Sequence, residues 1–588
     1  MKVAFWIVYV ILSVLSGAVL ELNHNTLWGW ALFVLLLVAF PLLYRLKALP
    51  AGKMVKALFW LGYVVVFSGI LLLTWPPVKA VPASDALRPD VTGVIQTQKG
   101  KVSGVYSADH QVEIYAGIPY AKAPVGELRW RPPQDPDAWD GVLACDSFAP
   151  MSMQVTNLPI YDSLVRIIGY HDYRISLKDN YIPPVSEDSL YLNIWKPAGE
   201  CSNLPVLVYI HGGSLQTGQP WYDDYSGMDF ARNDVICVNM GYRLGVFGFY
   251  ADDQLLEEDG TTGNYGLLDQ IKALEWVRDN IAAFGGDPDN VTIVGESAGA
   301  VCVDALCVSP LAKGLFRRAI LESSTLASVN PPHSYRTFDE ALSSGEELLK
   351  KYGCSSTGDL RKLSAEKIVG EMNSQHHVTV DGYVLPDSPY NLRKQGIHNE
   401  EALLHGFNDQ ESGPFIIFDK TNLRNYESKI RSYFGDSADD VLKVYNATTD
   451  KEAAAYWAEV YGAVFFNYPH YCLNRLAVSE GIPVYEYLFT KKNKSLSSWH
   501  SGELKYAFHR IPEDSDLYDE ADRKLSDIMH AYWVNFARTG DPNGPGLPVF
   551  EQNAGSEMIM ELGDNVGMIK EPYLAFYGIM DGKQGFDL

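Results

Sequence analysis

The sequence predicts an α/β fold with a mostly parallel central sheet flanked by helices, preceded by three transmembrane helices. Three observations support this prediction. Long apolar runs occupy most of the first 76 residues, short buried-strand patterns such as LPVLVYI follow, and the stretch VTIVGESAGA joins a strand to a helix through a serine between glycines. With 588 residues the chain can build a core larger than that of one ordinary domain.

The apolar runs come first along the chain, at residues 3–20, 27–44 and roughly 55–75. They are long enough, or nearly so, to cross a bilayer and have almost no polar face, so we expect them to span a membrane. The first loop, ELNHNT, carries no Lys or Arg, whereas residues 45–56 carry Arg45, Lys47, Lys53 and Lys56. The positive-inside rule then places the amino terminus in the cytoplasm and everything after Trp75 outside it, in the periplasm if the source is bacterial.

An alternative for the first run is a cleaved signal peptide, because MK precedes it and SGA offers small residues for cleavage. Two remaining spans would still leave the rest of the chain on the same side. Residues 77–90 are rich in Pro and Ala and predict a linker. We therefore predict a membrane anchor over residues 1–76, a linker over 77–90 and one α/β domain over 91–588.

Charge and motifs limit the possible partners. The net charge is −24, and residues 1–90 hold seven Lys/Arg against three Asp/Glu, so the negative charge lies in the rest of the chain. Such acidity argues against a nucleic-acid partner. No HExxH, P-loop or dinucleotide fingerprint is present, and the seven cysteines lack paired short spacings. We expect no metal and no organic cofactor.

The stretch from Val291 to Ala300 has the order of a nucleophile elbow: four buried-strand residues, then Gly-Glu-Ser-Ala-Gly, then small and apolar residues suited to a helix. A serine at the apex of such a turn has a strained backbone, so its neighbours two positions away must lack bulk. A plain glycine-rich turn is the alternative. The pattern makes Ser297 the candidate nucleophile.

A second glycine motif lies upstream, where the strand pattern LPVLVYI ends in His211-Gly212-Gly213-Ser214. Successive glycines at the carboxyl end of a strand leave backbone N–H groups uncovered, which suits an oxyanion hole. We predict that Gly212 and Gly213 supply two donors and Ala298, the residue after the nucleophile, supplies the third.

Taken together, the motifs resemble the type-B carboxylesterase and cholinesterase family of α/β hydrolases over nearly all of residues 92–560. Besides the two motifs above, the matching stretches are YAGIPYAKAPVGELRWRPP, SEDSLYLNIWKP, GYRLGVFGF, GNYGLLDQIKALEWVRDNIAAFGGDPDN and YWVNFARTGDPNGPGLPVF. The resemblance implies the α/β-hydrolase fold and a serine carboxylic-ester hydrolase that forms an acyl-enzyme intermediate.

The resemblance also implies the rest of the catalytic triad. The acid segment of the family corresponds to GFNDQESGPF, which gives Glu411, with Ser412 where glycine is usual. The histidine segment corresponds to HSGELKYAF, which gives His500, with Glu503 in register. The residues alone left the choice open, because the chain has 13 histidines and 72 acidic residues, and His509 was as good a candidate as His500.

The substrate is expected to be a small-molecule ester. Trp221 and Glu296 are candidate substrate-binding residues, with a purely structural role equally open for Trp221. The loop from Ser152 to Ser189 contains no tryptophan, which disfavours choline esters, and the serines at its ends replace the disulfide cysteines common in secreted relatives. Two alternatives remain: a catalytically silent, cholinesterase-like adhesion or binding ectodomain, and a lipase or thioesterase with the same triad. The oligomeric state stays open.

Overall fold

A computed structural model describes residues 3–48, 52–156, 181–371, 376–492, 498–513, 515 and 517–588. The chain divides into two compact units. One comprises residues 1–80 with 156–184, and the other comprises residues 81–155 with 185–588.

The first unit contains three long apolar helices, α1 (Val3–Leu22), α2 (Leu27–Leu43) and α3 (Lys53–Leu73), at the three runs expected from the sequence. Each is long and apolar enough to cross a membrane. The helices pack through aromatic side chains, and Phe40 contacts both Phe5 and Tyr63. One polar pair joins two of the helices: Tyr63 donates to Ser16 Oγ at 3.2 Å. Internal pairing of this kind is what a lipid environment requires.

The second unit contains a twisted sheet of thirteen described strands. They are β1 (Val91–Gln96), β2 (Lys101–Tyr106), β3 (Val112–Pro119), β4 (Val142–Ala144), β5 (Tyr191–Pro197), β6 (Leu204–Ile210), β7 (Ile236–Met240), β8 (Gly286–Glu296), β9 (Arg318–Glu322), β10 (Ala402–Asn408), β11 (Val484–Phe489), β12 (Met558–Leu562) and β13 (Val566–Lys570). Their spatial order is β1-β2-β3-β5-β7-β6-β8-β9-β10-β11-β12-β13, with β4 beside β2. The contiguous run from β7 to β12 is parallel.

Helices cover both faces of this sheet. The longer ones are α4 (Tyr265–Asn280), α5 (Ala298–Val308), α6 (Phe338–Tyr352), α7 (Leu423–Phe434), α8 (Asp450–Gly462), α9 (Tyr468–Glu480), α10 (Glu520–Thr539) and α11 (Leu574–Gln584). Shorter helices span Met228–Arg232, Gly245–Phe249, Asp253–Asp259, Thr357–Arg361, Ala365–Ile368, Pro389–Lys394, Gly413–Ile416, Ala438–Val444 and Leu504–Ala507.

Strand β6 shows why the sheet has two buried faces. Its alternate residues Val206, Val208 and Ile210 join one hydrophobic cluster with α4 and α5, whereas Leu207 and Tyr209 join a second cluster with α10. A strand buried on both faces is apolar at every position, as LPVLVYI is. The mostly parallel α/β fold predicted from the sequence is therefore confirmed.

The parallel strands direct their carboxyl ends to one edge of the sheet, which is where α/β proteins bind ligands. The predicted oxyanion loop leaves β6 at this edge, and the predicted nucleophile follows β8. The predicted acid lies three residues after β10, and the predicted histidine follows β11. Four separate strand ends thus bring together residues distant in sequence.

Candidate active site

Ser297 lies between the last residue of β8 and the first residue of α5, with φ 56° and ψ −127°. A non-glycine residue in this region is strained, as expected at the apex of a nucleophile elbow. A Cβ on Gly295 would lie 2.4 Å from the carbonyl carbon of Gly299, and a Cβ on Gly299 would lie 2.0 Å from Ile210 O. The flanking glycines are therefore required by the close passage of strand and helix.

The loop after β6 lies directly against this turn. A Cβ on Gly212 would lie 3.1 Å from Ser297 Cβ, and Gly213 has φ +105° with Thr217 O 2.2 Å from its Cβ position. Ala298 is the first residue of α5, so its N–H has no acceptor within the helix. The three residues predicted to stabilise an oxyanion thus lie beside the predicted nucleophile or adjoin it in sequence.

Glu411 and His500 form a close buried pair. His500 Nδ1 lies 2.6 Å from Glu411 Oε2, and Glu411 Oε1 accepts the backbone N–H of Asn408 at 2.8 Å. By contrast, His509 is 39% exposed at its side chain and pairs with Asp527 at 2.9 Å. The geometry therefore separates two histidines that the residues alone did not distinguish.

The other ring nitrogen of His500, Nε2, has no hydrogen-bond partner among the described residues. It lies 3.3 Å from Glu296 Oε1, which also accepts a hydrogen bond from Ser501 Oγ at 2.5 Å. The Glu296 side chain is only 6% exposed. The Glu296 carboxylate therefore contacts His500 and Ser501. The contact between Glu296 and the substrate, expected from the sequence, stays a prediction.

These carboxyl groups control the charge of the histidine. Burial lowers the pKa of His500, but Glu296 and Glu411 outweigh it and raise that pKa to about 9. Burial raises the pKa of Glu503 to about 8, with contributions from Glu296 and Glu411, and burial also raises the pKa of Glu296. Burial thus favours the neutral forms of Glu296 and Glu503, whereas the carboxyl groups beside the imidazole favour the cationic form of His500.

A hydrogen-bond network behind the pair was not found from the sequence. The fully buried Glu503 accepts two hydrogen bonds, one from Ser323 Oγ at 2.9 Å and one from Asn408 Nδ2 at 2.5 Å. Asn408 thus connects Glu503 to Glu411 through its side chain and its backbone. The register of Glu503 with His500 and the place of Asn408 in the acid segment GFNDQESGPF were usable signals, whereas no sequence pattern distinguished Ser323.

Aromatic rings line the imidazole. Phe415 lies 5.1 Å from the His500 ring centroid in an edge-on arrangement, and Phe466 lies 4.7 Å from it. Phe466 belongs to a π-helical turn, Ala463–Asn467, between α8 and α9, and such turns are frequent at functional sites. Trp221, the other substrate-binding candidate from the sequence, stacks on Phe148 at 5.9 Å, and its indole N–H has no acceptor among the described residues; its substrate contact stays a prediction.

The two serines that replace the expected cysteines are in contact. Ser152 Oγ donates to Tyr242 O at 2.6 Å and lies 3.0 Å from Ser189 Oγ. A hydrogen bond thus stands where secreted relatives commonly have a disulfide, and all seven cysteines of the chain are free. Most of the intervening loop, residues 157–180, lies outside the described residues.

Comparisons with known proteins give the family and the fold that this chain resembles. A family model described as the carboxylesterase family matches residues 91–577. Carboxylesterase 1C of Rattus norvegicus is 31% identical over 533 residues, which cover 84% of this chain and 93% of that protein. Fumonisin B1 esterase of Sphingopyxis macrogoltabida is 33% identical over 539 residues, which cover 86% and 94%. A Geobacillus stearothermophilus carboxylesterase structure aligns with a TM-score of 0.70 at 31% identity, over 83% of this chain and 99% of that one.

Proposed function

Since the chain belongs to the carboxylesterase family, we propose that it hydrolyses carboxylic esters through Ser297, His500 and Glu411. The sequence analysis predicted a type-B carboxylesterase, and the family match confirms this prediction. The observation that supports these three residues most directly is the buried 2.6 Å contact between His500 Nδ1 and Glu411. Nε2 lies 3.3 Å from Glu296 Oε1 and has no hydrogen-bond partner among the described residues, which supports its proposed role as the base.

In this mechanism His500 Nε2 removes the proton from Ser297 Oγ as that oxygen attacks the ester carbonyl. Glu411 holds Nδ1–H and thereby sets the tautomer and stabilises the imidazolium. Backbone N–H groups of Gly212, Gly213 and Ala298 bind the developing oxyanion, and loss of one such donor typically costs about 3 kcal/mol. His500 then protonates the leaving alcohol, and water repeats the attack on the acyl-enzyme.

A fluorophosphonate probe together with p-nitrophenyl butyrate tests this assignment on the full-length protein. Ser297→Ala should abolish labelling and lower kcat by at least about a thousandfold, because the base then has no nucleophile to activate. The matched control is Ser309→Ala, since Ser309 lies at the opposite end of α5 and donates to Val384 O at 2.6 Å. It should keep both labelling and turnover.

The same experiment separates the rival function. A folded wild-type protein that neither reacts with the probe nor hydrolyses any ester would support a catalytically silent binding ectodomain. Retained turnover in Ser297→Ala would instead refute the proposed nucleophile.

The proposal includes membrane anchoring of the enzyme. Residues 1–76 form the anchor, residues 77–90 the linker and residues 91–588 the catalytic domain, which lies outside the cytoplasm. Support comes from three helices of spanning length and from the four Lys/Arg residues between positions 45 and 56. Alkaline phosphatase fused to the carboxyl terminus should be active, whereas green fluorescent protein fused at the same place should not fluoresce. The reverse pattern would contradict the orientation.

A further inference from the structure

Ser501 follows the proposed base and has a backbone conformation that serines rarely adopt. Its φ is 69°, in the left-handed region that favours glycine, and a non-glycine residue stays there only where the surrounding structure holds it. The family resemblance identified His500 and Glu503 in this segment but assigned nothing to Ser501. We propose that Ser501 is a positioning residue whose hydroxyl holds the Glu296 carboxylate beside His500 Nε2. The proposal rests on the esterase function proposed above and adds a residue to its machinery.

The hydroxyl of Ser501 fixes one oxygen of Glu296. Ser501 Oγ donates to Glu296 Oε1 at 2.5 Å, and the same oxygen lies 3.3 Å from His500 Nε2. A hydrogen bond to an ionised carboxylate is shorter and stronger than one between neutral groups. Ser501 therefore determines which way the carboxylate faces.

The second oxygen of Glu296 lies against the oxyanion loop. A Cβ on Gly212 would lie 3.0 Å from Glu296 Oε2, so the carboxylate is located between the proposed oxyanion donors and the proposed base. A carboxylate that turned toward these donors would compete with the developing oxyanion, because both are negatively charged acceptors. The hydrogen bond from Ser501 keeps Oε1 on the side of His500.

The Ser501 hydroxyl also acts on the ionisation of Glu296. A hydrogen bond donated to a carboxylate favours its ionised form and lowers its pKa, whereas burial raises the pKa of Glu296. The ionisable groups whose charge acts with this carboxylate are Glu322 on β9, Glu411 after β10, Tyr209 on β6, Tyr487 on β11, Tyr225, and His500 with Glu503. Ser501 itself does not titrate, so its loss changes the ionisation of Glu296 without removing a charged group.

The test measures kcat/KM for p-nitrophenyl butyrate against pH in full-length Ser501→Gly and Ser501→Ala. Without the hydroxyl, Glu296 should bind a proton more readily, and a neutral carboxyl group no longer favours the cationic form of His500. The acid limb should therefore move to lower pH by about 0.5 to 1 unit in both variants. Glycine suits a φ of 69° and alanine does not, so equal shifts assign the effect to the hydroxyl rather than to the backbone.

A double variant separates positioning from a general structural effect. Because Ser501 acts through Glu296, Ser501→Gly should not move the acid limb further in a protein that already carries Glu296→Gln. The matched control is Asn203→Gly. Asn203 also has a positive φ, 54°, but precedes the amino end of β6, at the sheet edge opposite the catalytic residues. This control should keep the wild-type pH profile.

Two results would overturn the proposal: an acid limb that stays in place in both Ser501 variants, or an equal shift with and without Glu296. The rate at which diethyl pyrocarbonate modifies His500, followed by mass spectrometry across pH, gives the same comparison without turnover, because only the neutral imidazole reacts. A wild-type protein that hydrolyses no ester and resists the fluorophosphonate would refute the esterase mechanism itself, while the modification rates would still test Ser501.

Discussion

Replacing Glu296 with glutamine removes one of the two carboxylates that flank His500 while keeping the side-chain shape. The structure places its Oε1 3.3 Å from Nε2, the ring nitrogen proposed as the base. Since a cationic imidazole is favoured by this carboxylate, the variant should have a lower histidine pKa. The activity of the enzyme should then begin at lower pH.

The size of the shift can be bounded. The rise of the His500 pKa from an ordinary 6.5 to about 9 corresponds to roughly 3 kcal/mol of net stabilisation of the cation. A full charge pair at 3.3 Å contributes about 5 kcal/mol at an effective dielectric constant of 20, before burial of the ring opposes it. Loss of Glu296 with Glu411 still in place should therefore lower the pKa by about 1 to 3 units.

The assay is kcat/KM against pH, whose acid limb reports the pKa of the base in the free enzyme. Only the neutral imidazole can accept the serine proton, so a lower pKa moves the acid limb to lower pH. The rate of fluorophosphonate labelling should move with it. Glu486→Gln is the matched control, because Glu486 is also a buried glutamate, 6% exposed, but faces Asn553. An acid limb that stays in place or moves to higher pH in Glu296→Gln would refute the reasoning.

Three further predictions concern folding, the choice of histidine and the serine pair. Gly299→Val should give little folded protein and no activity, because its Cβ would lie 2.0 Å from Ile210 O. The control Gly567→Val, in strand β13 with open space at its Cβ position and no positive φ, should lose far less; soluble yield and melting temperature compare the two. His500→Gln should lower kcat by at least about a thousandfold, because His500 pairs with Glu411. His509→Gln should lower kcat by less than about tenfold. Equal losses in the two variants would contradict the assignment of His500. The double variant Ser152→Cys/Ser189→Cys should form a disulfide, because the two hydroxyl oxygens lie 3.0 Å apart. The disulfide should raise the free energy of unfolding by about 2 to 4 kcal/mol in denaturant melts. Equal stability of the oxidised and reduced double variant would contradict this prediction.

Local features of the chain were predictable from the residues alone. The three apolar runs form helices of spanning length, and the glycines around Ser297 lie where strand and helix pass too closely for a side chain. The apolar runs and the contact between Gly295 and Gly299 are short-range effects, since they depend on residues close together in the chain, whereas Gly299 also lies against Ile210 O of the distant strand β6.

Only the tertiary structure decided how distant groups meet. His500 pairs with Glu411, which lies 89 residues away in sequence, and Ser501 donates to Glu296 across 205 residues. Nothing in the spacing of histidines and acids distinguished His500 from His509, and no sequence pattern indicated that Ser323 contacts Glu503. These pairings depend on the order in which parallel strands lie side by side, and that order is set by packing of the whole sheet between its helices.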